Sequence, residues 1–255
     1  MASDTEWQAW GEQDPYFGVL TDERYRRGKL TAESLEEFFR TGRSHIEEIL
    51  AACRKHFGEL STRRSLDFGC GVGRLLIPLA EVSEVCVGVD IAAAMLQEAA
   101  LNCVKYNRHN VRLARTLEEI DPGNGAGFSF IHSHMVLQHL DPQRGLSIIS
   151  ALLSRLDGGG VAALHMTYAH TRHRANQGVR PRASRVARFL SRPLARIRRR
   201  ITRADPQMLM YAYDLNRVLF LAQDCGVRSG GLQFTDHAGH LGVILFLRKY
   251  PAALA

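Results

Sequence analysis

The sequence predicts an α/β protein with a doubly wound, mostly parallel sheet covered by helices on both faces. Between residues 64 and 166, short apolar runs alternate with segments of helical periodicity. A glycine-rich stretch follows the first apolar run, as expected where a strand turns into a helix. Near the C-terminus, two apolar runs flank a turn at residues 236–240, which predicts an antiparallel β-hairpin.

Residues 1–60 carry helical patterns and are predicted to form a helical N-terminal cap. Thr31 is a candidate N-cap for a segment in which Phe38 and Phe39 recur at helical spacing. Ser44 is predicted to cap a second, separate helix.

The rest of the chain divides into strands and helices by the same criteria. We predict strands at residues 65–68, 85–89, 111–114, 128–133, 161–166, 227–235 and 241–247. We predict helices near residues 75–80, 93–107, 143–156 and 215–225.

Composition places the chain among globular proteins. Its 255 residues are 45% hydrophobic and 23% charged, which excludes fibrous and disordered classes. No apolar run approaches the roughly 18 residues that cross a bilayer, and the N-terminus is acidic and polar, so we predict a cytoplasmic protein without a transmembrane segment. Five scattered cysteines without a CxxC pair argue against a disulfide framework and a structural zinc site.

The net charge of +7 comes from one segment. Between Gly158 and Ala204 there are twelve arginines and no lysine or acidic residue, so the rest of the chain carries −5. Within this segment, arginines alternate with apolar residues at helical spacing, which predicts a basic amphipathic helix interrupted at Pro193.

A glycine pattern, GxGxG, is formed by Gly69, Gly71 and Gly73 where the first strand is predicted to turn into a helix. Such glycines allow a tight turn and close approach of the backbone to a ligand. Asp67 precedes the pattern by two residues, and Asp90 ends the second predicted strand. An acidic side chain at the position of Asp90 can accept hydrogen bonds from ribose hydroxyls, as in dinucleotide-binding enzymes, whose pattern is GxGxxG.

Four stretches, at residues 66–80, 87–99, 128–140 and 153–166, resemble in order the motifs of class I S-adenosylmethionine-dependent methyltransferases of the small-molecule type. The resemblance implies a Rossmann-like fold, with the hairpin supplying its antiparallel seventh strand, and S-adenosyl-L-methionine (SAM) as cofactor. It implies contacts to the methionine moiety by Asp67, Gly69, Gly71 and Gly73, to the ribose by Asp90, and to the adenine by Ile91 and Met95. It also places His132 and Ser133 where the fourth strand opens toward the sulfonium and the substrate.

The sequence departs from this family after the third strand. Family members often carry an acidic residue there that binds the adenine amino group, whereas Thr116 is the candidate in this chain.

Methyl transfer is an in-line displacement that depends mainly on alignment, and a base is needed only where the acceptor must lose a proton. Histidine suits this task because its pKa is close to neutral. We predict His139 and His237 as candidate catalytic residues, with Tyr168 orienting the acceptor or flanking its cation. The alternative for each histidine is a structural one, such as bracing a loop.

Asp236, His237 and His240 also offer ligand types suitable for a metal ion. Because an HxxH turn matches no established metal-site spacing, we predict no metal site.

The resemblance makes residues 61–255 one Rossmann-like domain with an Arg-rich lid insertion at residues 167–205. The lid suits an anionic or carrier-bound acceptor, RNA or a membrane surface, or it is a solvated segment packed by its apolar stripe. Nucleic acid is disfavoured because aromatic residues are nearly absent from the lid. Candidate acceptor walls in the cap are Trp7, Trp10, Tyr16 and Phe17.

The predicted function is SAM-dependent methyl transfer to a small-molecule acceptor, which the basic lid suggests is anionic. Two alternatives remain: another use of the sulfonium, such as aminocarboxypropyl transfer or cyclisation, and a non-catalytic cofactor-binding module. The sequence does not indicate the oligomeric state.

Overall fold

The computed structural model describes residues 2–120, 127–171 and 205–250. Its strands are β1 Arg64–Phe68, β2 Val85–Val89, β3 Val111–Ala114, β4 Phe128–Ser133, β5 Leu156–His170, β6 Val227–His237 and β7 His240–Lys249. Its helices are α1 Ala2–Gln13, α2 Pro15–Val19, α3 Ala32–Phe57, α4 Leu76–Glu81, α5 Ala93–Lys105, α6 Pro142–Ser154 and α7 Leu215–Asp224, with short 3₁₀ turns at Glu23–Tyr25 and Leu137–His139.

The strands form one sheet in the order β3-β2-β1-β4-β5-β7-β6, which confirms the predicted doubly wound α/β fold. Strands β1 to β5 pair in parallel, and β7 runs antiparallel between β5 and β6. The winding reverses between β1 and β4, so the loops after these two strands diverge at the carboxyl edge of the sheet. Ligands of open α/β sheets bind at this switch point.

Two hydrophobic cores lie on opposite faces of the sheet. Successive side chains of one strand point into different cores, as Phe130 and Ile131 do on β4. Helices α3, α4 and α5 cover one face, and α6 and α7 cover the other. The cap helices α1 to α3 contribute to the first core, so the cap shares its packing with the sheet.

The cap contains one long helix where two were predicted. Thr31 caps α3 as expected, because its hydroxyl accepts the backbone N–H of Ser34 and the Ser34 hydroxyl accepts that of Thr31. The second cap predicted at Ser44 is wrong, since α3 continues through it. Gly42, inside α3, lies against the backbone carbonyl of Arg74, with which any Cβ would collide. The glycine therefore permits close packing and does not break the helix.

Strand β5 is longer at both ends than predicted. It includes the three glycines before Val161 and continues past residue 166, pairing with β7 as far as His170 opposite His240. The strand therefore takes up the first residues of the predicted lid. The remainder of that lid, residues 172–204, with its predicted amphipathic helix, lies outside the described residues. None of the helices described here has the length and apolar character needed to cross a membrane.

Candidate functional site

A cavity of about 730 Å³ opens at the carboxyl edge of the sheet, beside the switch point. Its walls come from the loops after β1 to β4, helix α6, the β6–β7 turn, the cap, and the stretch following residue 205. It brings together eight of the predicted site residues: Gly69, Gly71, Asp90, Ile91, Met95, Thr116, His139 and His237. Five others do not line it: Asp67, Gly73, His132, Ser133 and Tyr168.

The loop after β1 adopts a conformation that requires glycine. Gly69, Gly71 and Gly73 have φ angles of +77°, +52° and +90°, a region that side chains with a Cβ rarely adopt. A Cβ at Gly69 would also collide with Val136, and one at Gly71 would lie 2.7 Å from the Val19 side chain. The loop is therefore packed closely between the cap and the turn after β4.

Asp90 holds the loop after β1 against the end of β2. One carboxylate oxygen accepts the N–H of Gly71 and the other accepts the N–H of Ala92, each at 2.9 Å. Burial raises the pKa of Asp90 to about 6, although these two backbone hydrogen bonds lower it. Each oxygen keeps capacity for a further donor, which suits a pair of ribose hydroxyls.

The cavity wall beyond Asp90 is mostly apolar and carries one acidic side chain. Met95 is buried beneath the cap and lines the cavity next to Ile91. The Thr116 hydroxyl engages Glu118, which also lines the cavity. The Glu118 carboxylate accepts hydrogen bonds from its own backbone N–H and from the Thr116 hydroxyl, and both lower the pKa of Glu118. The sequence prediction missed Glu118, although it lies four positions after β3, in the region where family members often carry an acidic residue.

Asp67 and His132 form a buried pair behind the glycine loop. The His132 Nδ1 atom donates to one Asp67 carboxylate oxygen at 2.9 Å, and the two side chains are 1% and 2% exposed. The second oxygen of Asp67, Oδ2, has no hydrogen-bond partner among the described residues. Ser133 donates its hydroxyl to the carbonyl of Phe68. These residues support the loop from below.

His139 lies on the opposite side of the cavity, with its tautomer fixed by the backbone. Its Nδ1–H donates to the carbonyl of Leu209 at 2.7 Å, so the neutral ring carries its basic lone pair on Nε2. Burial lowers the pKa of His139, partly opposed by the bond to Leu209. The Trp7 ring packs edge-on with its centroid 5.0 Å from that of His139. A neutral imidazole of this kind can accept a proton.

Further histidines extend from His139 along the carboxyl edge. His134 and His237 line the cavity, and each has one buried ring nitrogen, Nδ1 and Nε2 respectively, without a hydrogen-bond partner in the described part of the chain. Burial lowers the pKa of His165 to about 3 and that of His134 well below its usual value. Within residues 2–120, 127–171 and 205–250, no three His, Cys, Asp or Glu side chains are arranged to hold a metal ion.

Aromatic and apolar side chains form much of the wall around His139. Of the four cap aromatics predicted as walls, Trp7 lines the cavity, Trp10 and Tyr16 are buried in the core, and Phe17 lies under the Arg26 guanidinium. Tyr168 lies beside Phe234, outside the cavity. The sequence prediction missed Met208 and Met210, which carry no motif and line the cavity together with Leu140 and Ile148.

Comparison with known proteins finds methyltransferases among the family models, the curated relatives and the solved structures. A family model described as a methyltransferase domain matches residues 24–201. Magnesium-protoporphyrin O-methyltransferase of Synechocystis sp. (strain ATCC 27184 / PCC 6803 / Kazusa) is 27% identical over 147 residues, covering 56% of this chain and 62% of that protein. Ubiquinone biosynthesis O-methyltransferase of Bradyrhizobium sp. (strain ORS 278) is 33% identical over 96 residues, covering 35% of this chain and 37% of that protein.

The chain thus spans less than two thirds of the length of these curated relatives. Among solved structures, magnesium protoporphyrin IX methyltransferase from Synechocystis PCC 6803 with bound SAM superimposes with a TM-score of 0.58 at 18% identity. That alignment covers 97% of each chain, so the two proteins share their fold along nearly their whole length.

Proposed function

The chain belongs to the methyltransferase-domain family, and from this membership we propose that it transfers the methyl group of SAM to a hydroxyl group of a small, largely apolar acceptor. The observation that carries the proposal is one cavity with two chemically different ends. We call the part around the glycine loop, Asp90 and Glu118 the cofactor end. We call the part around Trp7, His139 and His237 the acceptor end.

The groups at the cofactor end fit SAM. The Asp90 carboxylate has acceptor capacity for the ribose hydroxyls. Asp67 lies behind the glycine loop and not in the cavity wall, and its unpartnered Oδ2 would attract the α-ammonium group from there. Glu118 and Thr116 supply polar contacts for the adenine amino group, between the apolar side chains of the same wall. SAM supplies an electrophilic methyl group whose sulfur leaving group is already good.

The groups at the acceptor end fit a hydroxyl acceptor. His139 would accept the hydroxyl proton at Nε2, while the bond from Nδ1 to Leu209 holds the ring in place. The unpartnered ring nitrogens of His134 and His237 would bind a second polar group of the acceptor. Trp7 and the apolar side chains around it would exclude water from the reacting atoms.

Two further features refine the acceptor. The names of the two curated relatives both specify O-methyl transfer, which favours oxygen over nitrogen. Arg115 and Arg144 line the cavity, and Arg144 is paired with Asp4 at 2.6 Å. Arg115 lies at the cofactor end, where its guanidinium donates to the carbonyl of Ile91. Arg144 is therefore the cation nearer the acceptor end, and the carboxylate of an anionic acceptor would share it with Asp4.

Calorimetric titration with SAM and S-adenosylhomocysteine, followed by a radiolabelled-methyl assay on phenols, catechols and aromatic acids, tests this proposal. We expect binding of both cofactor forms and label transfer to at least one hydroxyl acceptor. Product mass distinguishes a methyl group from an aminocarboxypropyl group. Absence of SAM binding by the folded protein would overturn the proposal, and binding without transfer to any acceptor would favour the non-catalytic module.

A further inference from the structure

A chain of hydrogen bonds runs from the cofactor end into the cap. Asp67 and His132 are directly opposite each other in the pairing of β1 with β4, beside the switch point. The His132 Nδ1 atom lies 2.9 Å from Asp67 Oδ1, and its Nε2 atom lies 3.3 Å from Nε2 of His45 on α3. Three side chains from three elements are therefore joined in sequence.

The direction of the donors in this chain is fixed by chemistry. An ionised carboxylate only accepts hydrogen bonds, so Nδ1 of His132 is the donor whether its ring carries one proton or two. With one proton on the ring, Nε2 of His132 accepts from Nε2–H of His45. Burial lowers the pKa of His45 to about 2, so this ring is neutral and has one N–H to place.

His45, the cap residue of this hydrogen-bond chain, also contacts a residue that lines the cavity. The rings of His45 and His134 lie 4.1 Å apart between centroids, and His134 lines the cavity. His45 therefore contacts both the residue that holds Asp67 and a wall of the acceptor end.

We propose that His132 and His45 are positioning residues: behind the glycine loop, His132 holds Oδ1 of Asp67, so that Oδ2 is the carboxylate oxygen left to attract the ammonium group of the cofactor, and His45 anchors this arrangement to the cap. The inference rests on the proposed function, because Asp67 is assigned to the cofactor there. Without the His132 donor, both Asp67 oxygens would lack a partner in a site that is 2% exposed. Such a carboxylate would reorient or take up a proton, and either change weakens its attraction for a cation.

A matched pair of variants at one position tests the role of His132. The side-chain nitrogen of asparagine takes the place of Nδ1, so His132→Asn keeps the donor to Asp67. The side-chain nitrogen of glutamine takes the place of Nε2, so His132→Gln keeps the link to His45 and loses the donor. Calorimetry should show the Kd for SAM within about threefold of wild type for His132→Asn and raised about tenfold or more for His132→Gln.

The role of His45 has its own pair. His45→Gln keeps a donor at the Nε2 position, whereas His45→Leu removes it. We expect the Kd for SAM to stay near wild type in the first and to rise about threefold in the second. Thermal unfolding of all four variants shows whether each is folded. Equal SAM affinities within both pairs of folded variants would overturn the proposal.

A second measurement does not depend on SAM. Nitrogen-edited NMR of the histidine rings in the wild-type protein should show a protected Nδ1–H on His132, absent from His132→Gln and altered in Asp67→Asn. A His132 ring without a proton on Nδ1 would overturn the proposed hydrogen-bond chain from Asp67 to His45, even if the protein binds SAM. Failure of wild-type protein to bind SAM, with the Nδ1–H present, would overturn the proposed function and, with it, the cofactor role of the chain.

Discussion

The two ends of the cavity are built in different ways. The cofactor end uses loops that directly follow β1, β2 and β3, and backbone N–H groups hold its central carboxylate, Asp90. The acceptor end collects Trp7, His139, Met208 and His237, which are far apart in the chain. Backbone hydrogen bonds fix the first end, whereas contacts between distant segments fix the second. We therefore expect the two ends to respond separately to substitution.

The largest separation is expected at His139. Replacing it by glutamine removes the base at the acceptor end and leaves the cofactor end intact. We expect kcat for a hydroxyl acceptor to fall about 100- to 10,000-fold, while the Kd for SAM changes less than about twofold. His109→Gln, at an exposed position, is the control and should keep full activity. A His139→Gln variant with normal kcat would show that His139 is not the base.

The reverse separation is expected at Asp90. Asp90→Ala removes the acceptor of two backbone N–H groups and of the proposed ribose contacts. We expect SAM binding to weaken by about 1.5–3 kcal/mol, the range for hydrogen bonds to charged groups. Asp236→Ala is the control, because Asp236 also accepts a backbone N–H, that of Gly239, at the other end of the cavity. Equal losses of SAM affinity in the two variants would contradict the comparison.

This difference between the ends also explains what the sequence could predict. The cofactor end was predictable because Gly69, Gly71 and Asp90 follow their strands immediately, so that strand order alone brings them together. Glu118 lies only two positions beyond Thr116, the residue predicted to contact the adenine. Local pattern and local structure coincide in this part of the chain.

The acceptor end depends on packing that no local pattern shows. His139 was predicted, but its partner Leu209 is seventy residues away and only the fold brings it near. His45 has no motif, because its neighbours depend on where α3 crosses the sheet. The close approach of Gly42 to the Arg74 carbonyl could not be predicted for the same reason, because that carbonyl belongs to another segment. Sequence periodicity describes elements, and these residues are defined by contacts between elements.

The contact at Gly42 joins helix α3 of the cap to the loop that carries Arg74. Substitution of Gly42 therefore tests how tightly the cap is packed against that loop. Gly42→Ala should lower the free energy of unfolding by about 1–3 kcal/mol, because a rigid backbone carbonyl occupies the space of the new methyl group. Gly28→Ala is the control, since nothing lies within 4 Å of a Cβ there. Denaturant unfolding measures both. A Gly42→Ala protein as stable as the control would show that α3 can shift freely.

Proton binding offers a smaller test at the cofactor end alone. The pKa of Asp90, about 6, lies above its usual value because of burial, and ribose hydroxyls would bind the ionised form better. Cofactor binding would then release a proton, so affinity should fall as pH decreases through 6. We expect SAM to bind about tenfold more weakly at pH 5 than at pH 7. Calorimetry should show no such difference in Asp90→Ala.

The smallest effect is expected where the cap meets the chain after residue 204. Arg26 donates to both carboxylate oxygens of Asp205, at 2.9 and 2.6 Å, and its guanidinium lies 3.5 Å above the Phe17 ring centroid. Arg26→Lys would lose the two-point geometry, at a cost of about 0.2–1 kcal/mol for a pair this exposed. Because Met208 follows Asp205 closely, KM for the acceptor should rise by less than about fivefold, with the Kd for SAM unchanged.

Arg24→Lys provides the control, since Arg24 pairs with Asp22 and Glu37 inside the cap. It should leave both constants unchanged. If Arg26→Lys altered the Kd for SAM as much as KM for the acceptor, the cap would act on the cavity as a whole. The geometry of the acceptor end would then depend on the position of the entire cap. The two ends would still be built from different contacts, but a substitution in the cap would change ligand affinity at both.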